Sequence, residues 1–81
     1  MKLTRTQREF LQNLRVLNTR GVYPSVLQVA SATEDSLSWG QILYRYKVCN
    51  QLTAMGLVCD RRSGRRHELA ITEGGLQAIQ G

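Results

Sequence analysis

Residues 52–72, Leu52-Thr53-Ala54-Met55-Gly56-Leu57-Val58-Cys59-Asp60-Arg61-Arg62-Ser63-Gly64-Arg65-Arg66-His67-Glu68-Leu69-Ala70-Ile71-Thr72, change local structure three times in quick succession. Gly56 follows an apolar helical row and is the natural stop for a helix ending near Met55. Leu57-Val58-Cys59-Asp60-Arg61 then reads as a strand, and Arg66 to Ile71 as its antiparallel partner, in which Leu69 and Ile71 alternate as a half-buried strand requires. Ser63-Gly64 between them supplies the turn of a hairpin. Thr72 caps a last short helix that carries Leu76 and Ile79.

Upstream, the helix that Gly56 ends opens at the capping box Ser38-x-x-Gln41. Ile42, Cys49, Leu52 and Met55 fall close together on it, with Tyr46 between them. Gln41, Tyr44, Arg45, Lys47, Asn50 and Gln51 form its polar or amphipathic remainder. Thr33-Glu34-Asp35-Ser36-Leu37 is polar and turn-like. Before it, Pro24 suits the first turn of a short helix running to about Ala32, with Val26, Leu27, Val29 and Ala30 as its apolar face. Val22-Tyr23 reads as an extended link, because a residue preceding proline avoids the helical region. A first helix over about residues 5–19 places Leu3, Phe10, Leu11, Leu14 and Leu17 on one face. Thr4-x-x-Gln7 and Thr6-x-x-Glu9 compete as its cap, and Gly21 is its stop. The predicted order is helix, helix, helix, hairpin, helix, an α+β chain that is mostly α.

At 81 residues this is room for one domain, 1–81, and not for a second. Apolar types at 42% and charged types at 21% are ordinary for a soluble globular protein. The apolar runs are far short of the roughly 20 residues a membrane helix needs. The N-terminus Met1-Lys2-Leu3-Thr4-Arg5 lacks the apolar run of a signal peptide. Two cysteines do not make a disulfide scaffold, so a cytoplasmic setting is expected and no membrane association. Eleven Lys and Arg stand against six Asp and Glu, for a net charge of +5. Nine of the eleven cations are Arg, whose planar fork suits phosphate. The charge is also uneven: Arg45, Lys47, Arg61, Arg62, Arg65 and Arg66 face only Asp60 in their part of the chain. Nucleic acid is the partner this composition points to.

Four phrases carry a family resemblance. Leu3-Thr4-Arg5-Thr6-Gln7, with Phe10, Leu11 and Leu14, resembles the opening helix of MarR-type and LexA-type domains. Gly21-Val22-Tyr23-Pro24-Ser25, then Val29-Ala30, resembles the lead into the second helix of LexA-type domains. Leu52-Thr53-Ala54-Met55-Gly56-Leu57-Val58 is similar to the phrase in which a recognition helix ends and enters a wing, and Ala70-Ile71-Thr72-Glu73-Gly74-Gly75 to the MarR-type strand end and helix cap. The resemblance covers nearly the whole chain and implies a winged helix-turn-helix: a three-helix core, a two-stranded wing and a short C-terminal helix. The segment Thr33 to Ser38 departs from the pattern, lacking the usual turn glycine and running about two residues long.

The function this implies is sequence-specific binding of double-stranded DNA by a small transcriptional regulator. The third helix would enter the major groove, where Gln41, Tyr44, Arg45, Lys47 and Gln51 offer the chemistry of base edges. The arginines Arg61, Arg62, Arg65 and Arg66 at the wing would hold the backbone or enter the minor groove. A homodimer paired through the first and last helices would supply the surface a single small domain lacks. Two other readings stay open: a phage- or plasmid-type adaptor or inhibitor that binds an acidic protein surface, and a winged helix that binds RNA. Trp39 is expected to anchor the core rather than stack on a base, and Tyr23 to pack under the Pro24 turn. Tyr44 or Tyr46 offers a hydroxyl to phosphate, with at most one of them facing the core. Cys49, Cys59 and His67 do not have zinc spacing, so neither metal nor cofactor is expected. The scattered carboxylates, the lone His and the absence of a phosphate-binding glycine loop argue against an enzyme.

Overall fold

Thr4 decides where the chain first becomes helical. Its hydroxyl accepts the Gln7 N–H at 3.1 Å while its own N–H donates to Gln7 Oε1 at 2.9 Å, so the reciprocal box forms at Thr4 and not at Thr6. In this computed structural model, which describes residues 2–31, 38–63 and 66–80 without the side chains of Ala30, Ser31, Arg62, Ser63 and Arg66, helix α1 spans Arg5–Thr19. Its inward face is Phe10, Leu11 and Leu14, all buried, with Leu3 and Leu17 packed against them. The helix ends as two backbone bonds close around Gly21: Val22 N–H to Leu17 O at 2.9 Å and Gly21 N–H to Asn18 O at 3.0 Å. Gly21 takes φ +79°, a left-handed conformation that costs glycine little.

Helix α2 spans Val26–Ser31. It starts later than the expectation at Pro24, because Ser25 and Gln28 form a reciprocal cap of their own: Ser25 N–H donates to Gln28 Oε1 at 2.9 Å and Gln28 N–H to Ser25 Oγ at 3.4 Å. Pro24 is instead a buried residue ahead of the helix whose carbonyl accepts the Leu69 N–H at 2.8 Å. Val26 and Val29 are the buried positions of α2, while Leu27 is exposed. The expected helix end at Ala32 and the expected turn over 33–37 lie outside the described residues.

Helix α3 spans Trp39–Ala54 and opens on the Ser38–Gln41 box. It ends as α1 does, with Leu57 N–H to Leu52 O at 3.0 Å, Gly56 N–H to Thr53 O at 3.1 Å, and Gly56 at φ +77°. Strand β1, Val58–Ser63, pairs antiparallel with β2, Arg66–Ile71, in the register Val58↔Ile71, Asp60↔Leu69 and Arg62↔His67. The strand therefore starts one residue after Leu57 and runs two past Arg61. The expected Gly64 turn and Arg65 lie outside the described residues. Helix α4, Glu73–Gln80, begins where Thr72 Oγ1 accepts the Gly75 N–H at 3.1 Å and donates to Gly56 O at 2.7 Å. That one hydroxyl joins the end of α3 to the start of α4.

Among the described residues, four helices and one two-stranded antiparallel sheet make an α+β chain that is mostly helical. The core gathers Phe10, Leu11 and Leu14 from α1, Val26 and Val29 from α2, Val48, Cys49 and Leu52 from α3, and Leu57, Val58 and Leu69 around the hairpin. Asn18 ties the end of α1 to β2 beside it. Its amide donates to Val22 O at 2.9 Å and Leu69 O at 3.2 Å, and its carbonyl accepts the Ile71 N–H at 2.7 Å. Three backbone groups that would otherwise lack partners are satisfied by one side chain.

Candidate functional site

Helix α3 has apolar residues on two sides. Val48, Cys49 and Leu52 enter the core, with Ile42 and Met55 half-buried at its edge. At 3.6 residues per turn, positions 39, 43, 46 and 50 fall on a different row, related by i, i+4, i+7 and i+11. That row points outward: Trp39 is 77% exposed and Leu43 64%. Tyr46 and Asn50 continue it, with Lys47 exposed beside it. Trp39 is therefore not the core anchor its type suggested. It is the first residue of α3, directly after the Ser38 cap, and stands on the surface there. Tyr46, expected among the inward residues, is also on the surface, and Val48 takes the inward place instead. The row from Trp39 to Asn50 runs about 17 Å at 1.5 Å per residue.

The expected base-edge residues separate into two groups. Lys47 is exposed beside the outward row, whereas Tyr44, also exposed, lies on the flank of α3 turned toward α1. Gln41 is held by the cap, its Oε1 accepting the Ser38 N–H at 2.9 Å. Arg45 is half-buried and lines a shallow cleft of about 420 Å³ with Thr6 of α1 and Ser38, Gly40, Gln41 and Tyr44. Gln51 accepts a hydrogen bond from Gln7 Nε2 at 3.2 Å, which ties it to α1. Sequence reasoning left out Trp39, Leu43 and Asn50 as contact residues. The signal was present in their i, i+4, i+11 spacing, but a helix with two apolar faces does not say by periodicity alone which face is inside.

The hairpin stands beside this row. Tyr46, Cys49, Asn50 and Thr53 of α3, Ser25 and Val26 of the α2 start, and Asp60 and His67 of the two strands line one groove of about 300 Å³. His67 Nδ1 lies 2.9 Å from Asp60 Oδ2, which braces the two strands above the core. On β1, Arg61 is exposed and its guanidinium sits 5.6 Å from the centre of the Tyr23 ring, within cation–π range. Tyr23 is thus a surface ring under an arginine and not a residue packed beneath the Pro24 turn. The backbone of Arg62 and Arg66 belongs to the paired strands, but their side chains, like all of Arg65, lie outside the described residues.

Of the two free cysteines, Cys49 is buried and Cys59 exposed. Burial pushes the Cys49 thiol up from its ordinary value. A hydrogen bond with Thr53 opposes that shift and the Asp60 carboxylate reinforces it. Among the described residues no three His, Cys, Asp or Glu side chains group as metal ligands, and no helix is long and apolar enough to cross a membrane. Comparison with known proteins finds no matching family model, no similar curated protein and no similar solved structure.

The outward row offers ring faces, an aliphatic side chain, an amide that both donates and accepts, and an ammonium donor. That set suits an extended ligand that presents flat edges, hydrogen-bonding groups and negative charge together. It contains no nucleophile paired with a base.

Proposed function

We propose that this chain is a winged helix-turn-helix protein that binds double-stranded DNA in a sequence-dependent way and acts in the cytoplasm as a small transcriptional regulator. The observation that carries the reading is the uncovered outward face of α3, set beside a hairpin whose sequence holds Arg61, Arg62, Arg65 and Arg66. An α-helix fits the major groove, which is about 12 Å wide. A 17 Å row corresponds to about five base steps at 3.4 Å each. In this reading α3 supplies base contacts through Lys47 and Asn50 and the apolar groups of the row, while Tyr44 lies by the cleft that faces α1. The cap and the α1 contact withdraw Gln41 and Gln51 from that role, and Arg45 turns toward the α1 side. The hairpin arginines hold phosphate, and Arg61 is prepared for this by the Tyr23 ring beneath it. Two copies on a two-fold site, paired through α1 and α4, would supply the interface area that one domain lacks.

The test is selection of bound sequences from a random duplex pool, followed by titration of the selected duplex at several salt concentrations. Replacing Arg61, Arg62, Arg65 and Arg66 by Ala is expected to lower the slope of log affinity against log salt by about 3, as loss of three or four phosphate contacts requires. The same variant should melt like the parent. An unchanged slope removes the hairpin from the interface, and absence of duplex binding at low salt refutes the reading. The exposed Trp39 and Leu43 also favour a second reading, an adaptor for an acidic protein surface with an apolar centre. Stoichiometric binding to one protein without duplex affinity would establish that reading in its place.

A further inference from the structure

Resting on the DNA reading, the geometry points to thymine as the base that α3 recognises. Among the base edges of the major groove, the only apolar group is the C5 methyl of thymine. The two most exposed large apolar residues of the outward row are Trp39 at 77% and Leu43 at 64%, one turn apart. Seating them against methyl groups removes from water the apolar surface that the fold itself leaves wet.

The polar groups of the row agree with that assignment. Asn50 carries the adjacent donor and acceptor that match adenine N6 and N7, the purine edge of an A·T pair about three base steps beyond Leu43. Guanine, with two acceptors side by side, is best met by a bidentate arginine. The single arginine of α3, Arg45, is half-buried in the cleft with Thr6 and Gln41, off the row. Lys47 alone remains to contact a guanine. The net charge of +5 and the four arginines in the hairpin sequence favour a polyanion over an uncharged apolar protein groove as the occupant of this row. The row therefore reads A·T pairs, with Trp39 and Leu43 on thymine methyls and Asn50 on adenine.

Uracil in place of thymine tests this directly, because it keeps Watson–Crick pairing and deletes only the methyl. The duplex selected from the random pool is prepared once with thymine and once with uracil. Each contacted methyl is expected to account for about a fourfold change in affinity, so two contacts give a loss on the order of 15-fold. Leu43→Ala, a change at an exposed position that should leave melting unaltered, is expected to weaken binding to the thymine duplex and to cut the thymine/uracil ratio by about fourfold. Equal affinity of the parent protein for both duplexes overturns the thymine assignment while leaving DNA binding in place. A thymine/uracil ratio that Leu43→Ala and Trp39→Ala both leave unchanged assigns the methyl effect to duplex shape and overturns it as well. No binding to either duplex refutes the DNA reading and this one together.

Discussion

Gly74 and Gly75 stand side by side in the first turn of α4, and replacing each by Ala should move stability in opposite directions. Neither needs a left-handed backbone, so helix propensity alone favours Ala at both by about 0.5–1 kcal/mol. At Gly74 a new Cβ would meet the Leu57 side chain at 3.6 Å and the Gly56 carbonyl at 3.7 Å, ordinary contact distances. At Gly75 it would press into the Leu57 carbonyl and come within 2.7 Å of Ile71 Cγ1. That carbonyl already accepts the Thr72 N–H at 3.1 Å, so moving it away also strains the junction between α3 and α4. Overpacking of this kind costs about 1–3 kcal/mol, enough to outweigh the propensity gain. Gly75→Ala should therefore destabilise by about 1 kcal/mol net, and Gly74→Ala should stabilise by about 0.5–1 kcal/mol. For a domain of this size these become a fall of about 4–8 °C and a rise of about 2–8 °C in melting temperature. Thermal melts followed by circular dichroism at 222 nm on the two variants and the parent decide it. If both variants melt above the parent, α4 does not press on the Leu57–Ile71 corner, and the packing described for the C-terminal helix is wrong.

Leu52 is fully buried at the centre of the core, and Leu52→Ala should cost about 2–5 kcal/mol, lowering the melting temperature and DNA binding together, in contrast to the hairpin arginine variant. A thiol reagent at pH 8 should modify Cys59 fast and Cys49 slowly, because Cys49 is both occluded and held in its neutral form by burial, and the two rates should converge in denaturant.

The first helix was legible in the sequence because its ends are chemical, a glycine that closes it at Gly21 and a capping box at its start, although Thr4 and Thr6 both offered that box and only the structure chooses Thr4. The second strand was equally plain, since Leu69 and Ile71 alternate between a charged turn and a capping threonine. The start of α2 was misread because two signals overlap there. Pro24 is a good first-turn residue, but Ser25-x-x-Gln28 is a better cap, and the Pro24 carbonyl was needed by Leu69. The orientation of α3 was the harder problem. Its apolar residues are spread around the helix, so Tyr46 was placed near the inward set while Val48 was passed over, and Trp39 was expected inside by its type. Only the packing against α1, α2 and β1 fixes that rotation, and the candidate contact residues change with it. Gln41 shows the cost of reading one residue twice: the glutamine that closes the cap has its carbonyl committed and cannot offer a free amide edge to a base.

Asn18 also has a consequence for the order in which the protein acquires its structure in the cell. The residues it binds on β2 follow it by 51 and 53 positions. At translation rates of 5–20 residues per second, roughly 3–10 s pass between the synthesis of Asn18 and that of its partners. During that interval Leu69, which completes the core, does not yet exist, so the faces of Phe10, Leu14 and Leu52 lack part of their cover. A slow run of codons between residues 55 and 69 would prolong that exposure without altering a single contact of the finished protein.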